Sequence, residues 1–415
     1  MPPSPSSPRP TTVGRWSALV LASATALVGT GAAALVLLPP LSWDAWQYGL
    51  LMLEFSLLLA APAAIGLVLA LLSRGRAPER RLRPGRARLA ATAAVVNGAL
   101  LVMALVPPAA LWSTARTEGV RLDLGQYTAG FATDTDRAPR THVYLRTEDG
   151  PHGPEELELD VWEPAERDGD APLPIVVNVH GGADDLPQSL FPRWDTWLAD
   201  GGHVVFDVDY RHFPDGNWSA SVSDVKCAIG WAREHAEEYG ADASRLAVNG
   251  QSAGGLLAML AAYTSNEQIP PSCDVPDVGV DAVVAWYSVA DGTADAPRVP
   301  WRQRHSPIRE ELDEGAERMT GGTLEEVPEE YASMSPITHV SPDVPPTLVI
   351  TSGHDLFLDP EDNRRLVSRL DAAGVAHRHL ELPWTEHMFD INWGGFASQT
   401  TRHVLDDFLS EHLAP

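Results

Sequence analysis

The residues Gly250-Gln251-Ser252-Ala253-Gly254 have the types and spacing that nucleophilic catalysis by a serine requires. They follow a strand-like apolar run at 245–249 and open a helical run of small residues at 255–264. A strand that turns so sharply into a helix tolerates only small side chains two positions before and two after the serine, and it lifts the serine Oγ for attack. Alone, G-x-S-x-G is a weak signal. Here His180-Gly181-Gly182-Ala183 stands upstream, and Asp355 and His387 follow in the order Ser, Asp, His. A serine hydroxyl needs a base to take its proton, the base needs an acid to orient it, and a tetrahedral oxyanion needs N–H donors.

Each of these roles has a rival or a bland alternative. His387 falls in a loop after a strand candidate at 377–382, whereas His403 falls within the last amphipathic helix, where a surface position is expected. Asp355 follows a strand candidate at 347–351. Asp359 competes for the same role, its alternative being to cap the helix that starts near Glu361. Glycines at 181 and 182 let the backbone approach closely, so the N–H groups of Gly182 and Ala183, with that of Ala253 after the nucleophile, are the expected oxyanion donors. His-Gly-Gly by itself also reads as an ordinary tight turn. Asp209-Tyr210-Arg211 ends a strand candidate and reads as structural, with Arg211 pairing locally. Trp384 and Asn392-Trp393-Gly394-Gly395-Phe396 flank His387 and read equally as a pocket wall or a packed aromatic cluster.

The elements that must position these residues are a β/α series from about 141 to 413. Strands are predicted at 142–146, 157–162, 174–179, 203–208, 245–249, 280–287, 347–351 and 377–382, with helices notably at 219–239, 255–264, 361–373 and 398–412. Near-continuous apolar strands such as Ile175-Val176-Val177 suit a buried, mostly parallel sheet with helices on both faces. Residues 291–340 form a charged insertion that reads as a surface cap, and 113–140 read as a linker or lid segment.

With these motifs in place, residues 140–413 resemble an α/β-hydrolase of the esterase/lipase branch, close to the hormone-sensitive-lipase-like and bacterial feruloyl/acetyl esterase groups. The resemblance rests on His180 to Ala183, Asp209-Tyr210-Arg211, Gly250 to Gly254, Gly353-His354-Asp355 through Asp359, and Trp384-Thr385-Glu386-His387. It implies carboxylic-ester hydrolysis through an acyl-enzyme, with a small-molecule or lipid ester as substrate and neither a metal nor an organic cofactor. It also selects Asp355, the first of the two aspartates. The sequence departs from the fuller His-Gly-Gly-Gly form, and Asp184-Asp185 replace the aromatic that often follows. A peptidase or acyltransferase using the same triad, and a catalytically silent binding module on the same fold, are the competing readings.

The first part of the chain differs in kind. Residues 1–116 hold ten Arg and three acids, a net of +7, while the remainder carries −33. So acidic a region repels polyanions, which excludes nucleic acid as a partner. Three apolar stretches, 16–38, 47–72 and 89–112, each reach the roughly 20 residues that cross a hydrocarbon core of about 30 Å. Arg9 and Arg15 precede the first, seven Arg lie between the second and third, and the link 39–46 has none. This asymmetry puts the N-terminus in the cytoplasm and the region after Trp112 outside; a cleaved signal peptide is the alternative reading of the first stretch. The tail 1–15 is expected to be disordered. Glu54 falls inside the second stretch, as a functional carboxylate or one near the outer interface, and Asn97 is a partner at similar depth. Cys227 and Cys273, the only cysteines, are expected to form one disulfide in an oxidising compartment, two buried thiols being the alternative. Oligomeric state is not legible.

Overall fold

The computed structural model of the protein describes residues 12–74, 84–150, 153–167, 169–182, 186–275, 279–293 and 299–415. The chain separates into two compact units, Met1–Ser113 and Thr114–Pro415.

The first unit is helical: α1 (Thr12–Leu37), α2 (Trp43–Glu54), α3 (Ser56–Arg74) and α4 (Pro84–Thr117), the last running on past the unit's end. Three stretches, Gly14–Leu37, Ser56–Arg74 and Pro84–Thr117, are long and apolar enough to cross a membrane. The expected second span is divided. Phe55, at φ −98° and ψ 20°, interrupts the helix, a break that hydropathy cannot register because Phe55 is itself apolar. Glu54 is therefore the last residue of α2 rather than a residue inside a span. Asn97 also differs from expectation. Its two amide N–H donors go to the carbonyls of Ala22 (2.9 Å) and Ala93 (2.8 Å), and its Oδ1 accepts from Thr25 (3.0 Å). A Cβ on Gly66 would run into Thr25 and Asn97, so α1, α3 and α4 converge on this amide. Where water is absent an unsatisfied amide costs several kcal/mol, which makes such a bond a specific clasp between helices. Of the expected disordered tail, residues 12–15 are helical and 1–11 lie outside the described residues, as do Arg76, Arg80, Arg81 and Arg83.

The second unit runs α5 (Leu124–Ala129), β1 (Arg140–Gly150), β2 (Gly153–Trp162), β3 (Leu173–Val179), α6 (Pro192–Asp200), β4 (Val204–Val208), α7 (Ser219–Glu234), β5 (Ala241–Gln251) and α8 (Ala253–Tyr263). It continues through β6 (Ala282–Trp286), α9 (Trp301–Arg304), α10 (Ile308–Thr320), α11 (Pro328–Met334), β7 (Thr347–Ser352), α12 (Pro360–Ala373), β8 (His377–Leu382) and α13 (Phe396–His412). One eight-stranded sheet has the order β1-β2-β4-β3-β5-β6-β7-β8. β2 is antiparallel to both its neighbours, and β4 to β8 and β3 are parallel. Every residue of β4, β6 and β7 is buried. Since successive side chains point to opposite faces, the sheet must be covered on both. This is the α/β architecture that the apolar runs predicted.

Two buried polar devices brace the fold, one within the sheet and one between helices. Asn178 on β3 pairs in register with Asp207 on β4 and Asn249 on β5. Its amide donates to Asp207 (2.7 Å) and to Asp195 of α6 (3.0 Å) and its carbonyl oxygen accepts from Asn249 (2.6 Å). Burial pushes both carboxyls up, and the nearby Asp207 raises Asp195 further. Lys226, the only Lys in the chain, is fully buried on α7. It donates to the carbonyls of Thr264 (2.8 Å), Ser265 (3.0 Å) and Ile269 (2.8 Å) just beyond α8.

The stretch expected as a linker is bound along α13. Gln399 exchanges bonds with the backbone of Asp123 (2.7 and 2.9 Å), Tyr127 packs on Phe396 at 4.6 Å, and Gly394 donates to the carbonyl of Gly130 at 2.9 Å. Residues 291–340 hold α9, α10 and α11, with the acids of α10 largely on its outer side.

Candidate active site

Parallel strands put their C-terminal ends on one edge, where α/β folds gather ligands and chemistry. Val179 pairs with Gly250, and Gln251 with Trp286, so the segments leaving β3, β5 and β6 emerge side by side. Those leaving β7 and β8 follow in the same direction.

Ser252 sits between β5 and α8 at φ 54° and ψ −117°, a conformation that a non-glycine residue adopts only under constraint. Its N–H is held by the carbonyl of Trp286 at 2.9 Å. A Cβ on Gly250 would run into the carbonyl of Gly254, and one on Gly254 into that of Val179. Both glycines of the motif are therefore required by close backbone approach. Ala253 is the first residue of α8, so its N–H has no partner within the helix and lies at the positive end of the helix dipole.

His387 is buried and bridges the other two singled-out residues. Its Nε2 is 2.8 Å from Ser252 Oγ and its Nδ1 is 2.8 Å from Asp355 Oδ2. Asp355 is fixed in turn, its Oδ1 accepting the N–H groups of Phe357 (2.8 Å) and Leu358 (3.1 Å). The rivals lie elsewhere. Asp359 caps α12, accepting the N–H of Glu361 at 3.0 Å, and His403 is a surface residue 3.6 Å from Asp407.

The imidazole of His387 is held between the rings of Tyr287 (4.6 Å) and Phe357 (4.7 Å). The hydroxyl of Tyr287 donates to Asp390 Oδ1 at 2.6 Å. Burial pushes the Asp390 carboxyl up to about 6, against the lowering effect of that bond. Neither aromatic was signalled by the sequence, since nothing local distinguishes them from core residues.

At the end of β3, His180 is buried and its Nδ1 donates to the carbonyl of Gly181 at 2.9 Å; a carbonyl can only accept, which assigns the proton to Nδ1. Burial opposes its cation, yet the carboxylates of Asp209 and Asp207 outweigh that and hold the imidazole above its usual value. A Cβ on Gly181 would fall against the carbonyl of Gln251 and Cβ of Ser252, so this loop lies directly on the elbow. Gly182 has φ +107°, a conformation open to glycine. Ala183, Asp184 and Asp185 lie outside the described residues.

Arg211 pairs with Asp224 at 2.8 and 2.7 Å and with Ser272 at 2.8 Å, the local role expected of it. Beside it, Cys227 on α7 and Cys273 form a disulfide with Cα atoms 5.5 Å apart. Trp393 belongs to a packed cluster with Trp194 (4.9 Å) and Trp197 (6.4 Å), capped by Arg402 at 3.9 Å. Trp384 stacks on His354 at 5.2 Å.

The sheet order, the elbow and the ends of β3, β7 and β8 define an α/β-hydrolase fold. Solved structures agree: an esterase of the planctomycete Thermogutta terrifontis, with butyrate bound, superposes with a TM-score of 0.54 at 24% identity, over 71% of this chain and 99% of that one. The chain belongs to the BD-FAE family, whose model matches residues 159–370, about half its length. Among curated relatives, Esterase LipC of Mycobacterium tuberculosis is 33% identical over 61% of this chain and 62% of its own length. The probable carboxylic ester hydrolase LipM of the same organism is 30% identical over 62% of this chain and 58% of its own. The chain thus spans about three fifths of the length of these relatives.

Proposed function

We propose that the protein is a membrane-anchored serine hydrolase that cleaves carboxylic esters through an acyl-enzyme. The observation that carries this reading is the unbroken relay from Ser252 Oγ to His387 Nε2 and from His387 Nδ1 to Asp355, at 2.8 Å each. His387 takes the serine proton as Oγ attacks the ester carbonyl, and Asp355 stabilises the resulting imidazolium. The N–H groups of Gly182, Ala183 and Ala253 are assigned to the oxyanion, with the α8 dipole behind the last. Collapse of the tetrahedral intermediate breaks the bond to the alcohol oxygen, which takes the proton from His387. Water then repeats the cycle and releases the acid. Relatives named as esterases support the choice of an ester over an amide.

Three helices of spanning length and composition support the anchor, and the Arg distribution supports a cytoplasmic N-terminus with the hydrolase unit outside. The test is activity of the full chain toward p-nitrophenyl esters of graded acyl length, together with fluorophosphonate labelling. Ser252→Ala is expected to abolish both in a folded protein. Hydrolysis by this variant within about tenfold of wild type, well short of the loss that follows removal of a triad serine, would falsify the reading.

A further inference from the structure

Glu386, adjacent to His387, is 2% exposed and has no part in the scheme above. Its Oε1 accepts the backbone N–H of Leu356 at 2.6 Å and that of His387 at 3.2 Å. Leu356 directly follows Asp355, so one oxygen ties the loop that carries the acid to the residue that carries the base. The other oxygen, Oε2, pairs with Arg302 at 3.1 Å, and Arg302 also donates to the carbonyl of His354 at 3.1 Å. The next residue, Gln303, reaches the carbonyl of Asp355 at 3.4 Å. Arg302 and Gln303 belong to α9, in the insertion between β6 and β7. The carbonyl on one side of Asp355 and the N–H on the other are therefore gripped by a single ion pair.

Packing alone does not account for this arrangement. Burial of an ion pair gains little over apolar residues of similar volume, because each charge must leave water. The site is costly for a carboxylate: burial pushes the Glu386 carboxyl up to about 7, with Arg302 opposing the rise and Asp355 adding to it. What the pair supplies is geometry. Glu386 Oε1 and Arg302 Nη1 bind the backbone at 354–356 and 387, while Oε2 and Nη2 bind each other between them, and the relative position of these loops sets the bond from Asp355 to His387. Misplacement of a catalytic group by about 1 Å can cost on the order of 100-fold in rate.

Resting on the serine-hydrolase reading, we infer that Arg302 and Glu386 are positioning residues through which the insertion holds Asp355 in line with His387. The insertion is then part of the catalytic machinery, not only a cover over it. Side chains that touch neither substrate nor nucleophile should act on kcat and leave KM nearly unchanged.

The experiment uses the full-length protein in detergent, with a p-nitrophenyl ester for steady-state kinetics and a fluorophosphonate for the reactivity of Ser252. Arg302→Met is expected to lower kcat about 10- to 100-fold, with KM within about threefold, and to slow fluorophosphonate labelling by a similar factor. Glu386→Gln, which keeps an acceptor for the two N–H groups but loses the charge, should fall between that variant and wild type. Arg302→Lys keeps the charge but cannot span Glu386 and His354 together. It is expected to lose about threefold or more in kcat at an unchanged Tm, so it serves also if Arg302→Met does not fold. Variants with kcat within about twofold of wild type, or with a change in KM alone, overturn the inference. If the wild type is active through Ser252, such a result sinks this inference only; an inert wild type sinks the serine-hydrolase reading with it.

Discussion

Tyr210 donates its hydroxyl to the carbonyl oxygen of His180 at 2.9 Å, and its ring lies 4.8 Å from the imidazole in a stacked arrangement. The middle residue of Asp209-Tyr210-Arg211 is thereby fastened to the loop that carries Gly181 and Gly182. Tyr210→Phe would leave the buried carbonyl of His180 without its donor, at about 1–3 kcal/mol, and free the loop on the elbow. We expect kcat to fall about tenfold, as when an oxyanion donor is mispositioned rather than removed. Steady-state kinetics on a short-chain ester check this, and an unchanged kcat would separate Tyr210 from the oxyanion loop.

Asp355 and Asp359 are four residues apart and do different things. Asp355 meets His387, while Asp359 accepts the first free N–H of α12. Asp355→Asn should lower kcat about 10³–10⁴-fold, through loss of the carboxylate that orients and stabilises the imidazolium. Asp359→Asn keeps a capping side chain and should cost less than about 0.5 kcal/mol of stability, with little change in rate. Thermal melts and kinetics on the pair decide it; a larger rate loss in Asp359→Asn would reverse the assignment.

Comparison of these two residues shows what the sequence can carry. Central strands buried on both faces read as continuous apolar runs, such as Ile175-Val176-Val177 on β3 and Leu348-Val349-Ile350 on β7, and each of the eight expected strands overlaps a strand of the sheet. Ser252 announced itself because a tight elbow constrains its neighbours to glycine at fixed spacing. Tyr287 and Phe357 were not legible, since each meets His387 through folding that joins β6, β7 and β8, and Glu386 was read only as part of the motif ending in His387 because its partners Leu356 and Arg302 are distant in sequence. Lys226 and Asn178 were missed for a similar reason: a buried polar residue is explained by partners distant in sequence, and periodicity records only that it interrupts an apolar face. The break at Phe55 escaped because composition there is uniform while the backbone is not.

Asp390 gives the hydrolase unit a pH dependence of known sign. Burial raises its carboxyl from the ordinary 3.8 to about 6. The folded state therefore holds this proton more tightly than the unfolded chain does. The stability this contributes, on the order of 3 kcal/mol, is complete below the unfolded value and disappears as pH rises through 6. Asp390→Asn retains an acceptor for Tyr287 and removes the titration. Wild-type Tm should fall between pH 4.5 and 7.5 by more than that of the variant, the difference amounting to several degrees. Asp362 and Glu386, also raised by burial, remain in both proteins, so only the difference between the two melts counts. Equal shifts in wild type and variant would contradict the assignment.

The orientation of the chain makes the last prediction. Arg9, Arg15 and seven Arg between the second and third apolar stretches lie on two segments that three spans place on the same side. The link 39–46 carries no basic residue and falls on the other. Basic segments stay in the cytoplasm, so in the proposed orientation the region after the third span is expected outside. The disulfide between Cys227 and Cys273 is consistent with that compartment, because cytosolic thiols are kept reduced. Protease added to intact cells should therefore remove the hydrolase unit and leave a fragment of three spans. A maleimide should label neither cysteine until the protein is reduced. Full protection of the hydrolase unit until lysis, together with two reactive thiols in the native protein, would require the opposite topology.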